Sequence, residues 1–250
     1  AGTLSNMVGN ICVGRWGGDF GIGAADSGTR NVFFSTESTH YSLGTLAELQ
    51  RANTNWFGNT VADPKFVNAD ALDFHLLSAA GYKTNGGSWT TNGTTYSPAI
   101  DFGEESASVG DELERNCGRV NIGLYGGTAE ASKSNTNDWL FAMSFNDGGT
   151  LMQTGRLEWA ASTNFGAAGT VVLQYTTNNW ATTNAIATVA ATNENYDWAP
   201  AFSYPAVRWR VVSGTNPAAA STNAQPFSVR RQTNTTFTFY VNDGSTTKDV

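Results

Sequence analysis

Acidic side chains are the first candidates for chemistry. Glu104 and Glu105 are adjacent, and Asp111, Glu112 and Glu114 follow shortly after. A glycosidase or lyase can use two acids. These lie in a stretch containing Gly and Ser that reads as a surface loop, where acids are ordinarily solvated. His40 and His75 are the only histidines, and neither belongs to an H-E-x-x-H or Cys/His metal spacing. No Ser-His-Asp signature, P-loop or dinucleotide fingerprint occurs, and Gly17-Gly18 and Gly126-Gly127 read as turns. The sequence therefore assigns no catalytic residue and no cofactor. Calcium is the one metal whose chemistry fits: Asp63, Asp70, Asp73, Asp101 and Asp111 offer oxygen ligands, but no twelve-residue calcium loop orders them into a set.

Cys12 and Cys117 are the only cysteines. In an oxidising compartment they can form a disulfide, worth about 4–5 kcal/mol if unstrained. The alternative is two separate buried thiols, since nothing in the sequence brings their Cβ atoms together. Trp159, Trp180, Trp198 and Trp209 can form a platform for stacking sugars or the core of a β-sandwich. The core reading weighs more, because such cores need large buried aromatics.

Around these residues the composition is that of short strands. Gly is abundant at 27 residues and charged residues make up only 14%, which suits polar turns and not long helices. Eight Trp, fourteen Phe and eight Tyr supply enough apolar area for cores, which argues against disorder. Net charge is -7, and no basic stripe interleaves with aromatics, so nucleic acid is a poor partner. Residues 1–136 hold 14 acids and 8 bases, and residues 137–250 hold 7 and 6; the two parts differ chemically. No apolar run approaches the ~20 residues of a membrane span, so no membrane insertion is expected. The chain opens at Ala1 in what reads as the middle of a repeat, as a processed segment of something longer would.

Residues 1–60 alternate short apolar pieces (Met7-Val8, Ile11-Cys12-Val13, Val32-Phe33-Phe34) with Gly and Asn. Such pieces suit coils of a β-solenoid, with Asn6, Asn10 and Asn31 able to satisfy one another's amides along the turns. Thr45–Arg51 is the best helical segment, with Thr45 as cap and Glu48 completing a capping box. Residues 131–138 form a polar linker. Beyond it, strands are expected over 140–145, 156–160, 170–176, 185–189, 206–213 and 226–230. Val171, Leu173 and Tyr175 share one face, as do Val207, Trp209 and Val211, and this period of two marks an antiparallel sheet.

Four blocks carry a resemblance: Ala62-Asp63-Pro64-Lys65-Phe66-Val67, Asp73-Phe74-His75-Leu76, Ser97-Pro98-Ala99-Ile100-Asp101-Phe102-Gly103, and Arg119-Val120-Asn121-Ile122-Gly123-Leu124-Tyr125-Gly126-Gly127. In this order they resemble the C-terminal end of bacterial right-handed parallel β-helix proteins of the pectate-lyase-like kind. Cys117 falls where such sequences usually carry a small polar residue or Gly, which adds weight to the disulfide. Leu157-Glu158-Trp159, Val172-Leu173-Gln174-Tyr175 and Arg208-Trp209-Arg210-Val211 look like the fibronectin/immunoglobulin-like sandwich modules of large bacterial surface proteins. The tail Phe237, Phe239, Val241 has the character of a strand that adds to a neighbouring subunit, and resembles the opening of another β-helix module.

The expected architecture is all-β. Residues 1–136 form the end of a parallel β-helix with its cap, 137–232 an Ig/fibronectin-like sandwich, and 233–250 a strand opening a next module. The expected role is a structural module of a secreted or cell-surface protein, partnered by copies of itself or neighbouring modules in a filament, layer or matrix. The alternatives are an adhesin or polysaccharide-binding module, or a non-catalytic appendage of a polysaccharide lyase or hydrolase.

Overall fold

The computed structural model describes residues 6–13, 27–34, 44–91 and 93–231. The chain is all-β, with 38% strand against 8% helix. It opens with three successive turns. The first holds β1 (Asn6–Val8) and β2 (Ile11–Val13), and the second β3 (Ser27–Thr29) and β4 (Val32–Phe34). The third holds α1 (Leu46–Ala52), β5 (Trp56–Phe57) and β6 (Thr60–Val61). The strands stack in parallel as β1-β3-β5 and β2-β4-β6.

Each turn bends at the same corner, a residue with left-handed φ followed by Asn. The corners are Gly9-Asn10, Arg30-Asn31 and Gly58-Asn59, with φ of 68°, 55° and 66° at the first residue. The asparagines form a ladder. Asn10 Nδ2 donates to Asn31 Oδ1 at 3.3 Å, and Asn31 Nδ2 to Asn59 Oδ1 at 2.8 Å. The same oxygens accept the Asn10 and Asn31 backbone N–H groups at 2.9 and 3.0 Å. Left unpaired, a buried amide of this kind costs about 1–3 kcal/mol. Asn59 is the rung that the sequence expectation lacks, and Asn6 instead accepts from Ser27 Oγ at the exposed surface.

The register places Met7, Gly28 and Trp56 in one column. The Trp56 ring lies so close over Gly28 that a Cβ there would come within 2.5 Å of it. Leu46 and Leu49 of α1 pack beside Phe33 and Trp56. Val32 points the other way, into a core with Leu76, Ile100, Phe102 and Ile122. β4 is therefore buried on both faces, as strands of parallel sheets are. The helix starts as its sequence predicts, with Thr45 at the cap and its N–H bonded to Glu48 Oε2 at 3.0 Å.

Residues 62–134 are held together mainly by loops. β7 (Phe66–Asn68) pairs with β8 (Asp73–Leu76), and β9 (Tyr82–Lys83) with β10 (Trp89–Thr90), all antiparallel. Hydrogen bonds interlock the four sequence blocks. Ser97 Oγ donates to the Pro64 carbonyl at 2.5 Å, Asp101 N–H to Asn121 Oδ1 at 2.8 Å, and Ile122 N–H to the Ala99 carbonyl at 3.0 Å. The expected linker at 131–138 is not wholly solvated. Ser132 and Ser134 are buried, with hydroxyls donating to the Leu76 carbonyl and to Asp101 Oδ1, each at 2.6 Å. Alternating serines serve here as buried stitches.

The remaining strands are β11 (Leu140–Ala142), β12 (Thr150–Met152), β13 (Gly155–Ala161), β14 (Thr170–Thr176), β15 (Asn184–Ala190), β16 (Asn195–Trp198), β17 (Tyr204–Ser213), β18 (Ala220–Thr222) and β19 (Phe227–Arg230). A three-stranded sheet, β11-β13-β16, faces a six-stranded one, β12-β19-β17-β14-β15 with β18 beside β17. One core takes the inward residues of both, including Leu157, Trp159, Leu173, Trp209 and Phe227. Most pairings are antiparallel; β12 with β19 is parallel.

Candidate functional site: a carboxylate junction

The two parts of the chain meet through carboxylates. Asp147, Glu158 and Glu194 all come from the second part, and each accepts from donors of the first. Asp147 Oδ2 takes the Leu46 N–H at the start of α1 at 2.8 Å. Glu158, on β13, takes the Gly58 N–H at 2.9 Å and Gln50 Nε2 at 3.1 Å. Burial pushes its pKa up, against the pull of those hydrogen bonds.

Glu194 is the centre of the junction. It sits in left-handed backbone after a 3-10 turn, with φ of 53°. Its carboxylate receives Arg119 Nη1 and Nη2 at 2.7 and 3.0 Å, a planar two-point pair, and also Arg30 Nη2. Arg119 is fixed in turn by Nε donating to the Gly103 carbonyl at 2.7 Å. Burial alone would raise the Glu194 pKa, but the two guanidinium groups outweigh it and hold the carboxyl below its ordinary value. Arg30 occupies the corner of the second turn, so the same residue bends the chain and reaches across to the second part.

Beside the junction lie two further buried acids. Asp101 accepts from Ser134, and burial raises its pKa from 3.8 to about 7. Glu112 Oε1 accepts the Asn121 and Gly127 N–H groups at 2.8 and 2.9 Å, and burial raises its pKa as well. Asp101 Oδ2 and Glu112 Oε2 are buried without a hydrogen-bond partner among the described residues. Glu105, Asp111 and Glu114 are exposed and Glu104 half-buried, so the acid-rich stretch splits into one structural acid and solvated neighbours.

His75 belongs to a separate cluster. Its Nδ1 lies 2.7 Å from Asp73 Oδ1, its ring stacks on Tyr125 at 3.7 Å, and Nε2 is 3.5 Å from Glu130 Oε2. Burial would raise the Asp73 pKa, yet the Asn85 N–H and the His75 contacts hold it low. Among the described residues no group of three or more His, Cys, Asp or Glu side chains is placed to hold a metal ion, and the five aspartates considered for calcium form no ligand set. His40 lies outside the described residues.

Of the two readings of Cys12 and Cys117, a disulfide or two separate thiols, the structure holds the second: both are free thiols. Cys12 packs with Phe33 and Trp56, whereas the Cys117 Sγ lies 3.7 Å from the Asn135 carbonyl. Their local packing separates them, and burial pushes the Cys12 thiol up to about 11. Phe237, Phe239 and Val241 lie outside the described residues. Trp159, Trp198 and Trp209 are buried core residues, and the half-buried Trp180 is covered by the Arg210 guanidinium at 4.3 Å. Sequence reasoning missed the pairing of Arg119 and Arg30 with Glu194, and the roles of Glu112 and Glu158 as buried acceptors. Arg119, Glu112 and Glu158 each stand in a stretch that the sequence singles out, whereas Glu194 does not.

Known protein families, curated proteins and solved structures offer no significant match to this chain.

Proposed function

We propose that the chain is a structural module of a secreted or cell-surface repetitive protein. On this reading residues 1–136 are the terminal coils and cap of a right-handed parallel β-helix. Residues 137–232 are an Ig/fibronectin-like sandwich. Copies, or neighbouring modules of the same protein, join head to tail into a filament, layer or matrix.

The observation that carries this reading is the open first rung of the asparagine ladder. Among the described residues, β1 and β2 have a parallel partner on one side only. Gly9 N–H donates inward to the Thr29 carbonyl, and successive strand residues point their amides to opposite edges. The Val8 N–H therefore faces the open edge. Val8 and Val13 are also exposed there, at 44% and 52%. An unpaired edge of this kind recruits another strand, and the Phe237–Val241 tail of a neighbouring copy is the proposed occupant. Contacts between two different surfaces give open polymers when they do not close into a ring. The carboxylate junction supports the same role, since Asp147, Glu158 and Glu194 join the two parts by many hydrogen bonds and would transmit force between them.

Light scattering across a concentration series tests the reading. The chain is expected to form species larger than a monomer as concentration rises, and Val8→Pro, which removes the outward donor, is expected to return it towards the monomer. A wild-type chain that stays monomeric throughout would overturn the proposal.

A further inference from the structure

A cleft of about 430 Å³ lies between the capping segment and the three-stranded sheet. That is within the size range of small-ligand sites. The half-buried rings of Tyr96, Trp139 and Phe141 line it, as do Asp63 and Lys65.

Each of these residues is fixed by a different part of the fold. Phe141 pairs with Ala160 in the β11–β13 ladder. Trp139 accepts the Ser162 N–H at 3.0 Å. Tyr96 bridges to Ser78. Lys65 donates its N–H to Asp63 Oδ1 at 2.8 Å and its Nζ to Thr95 Oγ1 at 2.7 Å. The rings are thus pre-positioned, and the polar groups keep spare capacity: Lys65 has further ammonium protons and Asp63 a second oxygen. Neither the Tyr96 hydroxyl nor the Trp139 indole N–H has a hydrogen-bond partner among the described residues.

We propose that this cleft binds a neutral oligosaccharide, with sugar faces stacked on the Trp139, Tyr96 and Phe141 rings and hydroxyls bonded to Asp63, Lys65 and the free ring donors. A sugar presents an apolar C–H face and a rim of hydroxyls, which matches rings flanked by one acceptor and one donor. A purely apolar ligand would leave Asp63 and Lys65 to be desolvated without compensation. An anionic sugar would meet the Asp63 carboxylate beside a single Lys65 cation. Asp101 also lines the cleft but is only 2% exposed, so Asp63 is the carboxylate placed to bond a ligand. The inference goes beyond the structural role and does not depend on it.

Isothermal titration of the 250-residue chain with cellotetraose, maltotetraose, xylotetraose, mannotetraose and tetra-N-acetylchitotetraose, with trigalacturonate as the anionic counterpart, tests it. At least one neutral oligosaccharide is expected to bind with a Kd of about 1 mM or tighter. Trp139→Ala is expected to weaken that binding about tenfold or more, while Trp180→Ala leaves it unchanged. If Trp139→Ala lowers the melting temperature enough to obscure the result, exposed Asp63→Ala is the second variant, with weakening of about threefold or more expected. The proposal is overturned if no neutral sugar binds up to about 10 mM, if only trigalacturonate binds, or if binding survives both substitutions. None of these outcomes bears on the β1–β2 edge, on which head-to-tail assembly rests.

Discussion

Glu194 neutralises two guanidinium groups that belong to a different part of the chain. Removing its charge leaves Arg30 and Arg119 buried and unpaired, a situation that costs about 3–5 kcal/mol. Glu194→Gln is expected to lower stability by about that amount in urea unfolding, whereas substitution of exposed Glu114 should leave it nearly unchanged. Asp101 acts with the opposite sign. Its folded pKa of about 7 lies above the ordinary 3.8, so between those values the folded chain holds a proton that the unfolded chain has released. Stability from this group is full below about pH 4 and is lost as pH rises towards 7. Asp101→Asn mimics the neutral acid and should flatten the fall in melting temperature over that window. The Glu194 contribution is instead present above its ordinary value and lost as pH falls through the lowered one. At this scale little was legible beforehand. Glu112 looked like one of several loop acids, and its burial depends on Asn121 and Gly127 arriving from later in the chain. For Cys12 and Cys117 a disulfide and two separate thiols stayed open, because a count of cysteines carries no geometry.

Elements were far more readable, because periodicity is a local property. Thr170–Thr176 matches the expected span, and the inward Val207, Trp209 and Val211 are each fully buried. The helix and its Glu48 capping contact also follow from four residues of sequence. β12, β16 and β18 escaped, although the equally short β11 and β19 fall within expected spans. The burial of Ser132 and Ser134 within the expected polar linker at 131–138 was not legible, because serine is equally at home in a loop and in a buried hydrogen bond. The asparagine ladder is the most informative element, since its partners are a full turn apart. Asn31 both donates to Asn59 and Met7 and accepts from Asn10. Asn31→Ala leaves those groups unsatisfied and should cost about 1–3 kcal/mol, measured by chemical denaturation. Gly28→Ala tests the column beside it. A Cβ at Gly28 meets the rigid Trp56 ring, so a destabilisation of about 1–3 kcal/mol is expected, with tryptophan fluorescence altered in the folded state.

At the scale of the molecule, the two parts are joined by charge where ordinary modules are joined by a flexible linker. Three carboxylates from the second part satisfy an α-helix start, a turn amide and two arginines of the first. Such a joint favours transmission of force over independent motion, in keeping with the proposed structural role. The composition already pointed to unlike parts; that they share a buried interface was not legible, because each partner lies about 100 or more residues from its mate in the Glu158 and Asp147 contacts. The β1–β2 edge is where the central claim is most exposed. Amide hydrogen exchange of residues 6–13, followed across a protein concentration series, tests it directly. Head-to-tail assembly predicts that the outward-facing Val8 amide gains protection as concentration rises, while the Gly9 amide, already bonded to Thr29, changes little. A Val8 amide that exchanges equally fast at every concentration, in a chain that nevertheless self-associates, would contradict the account.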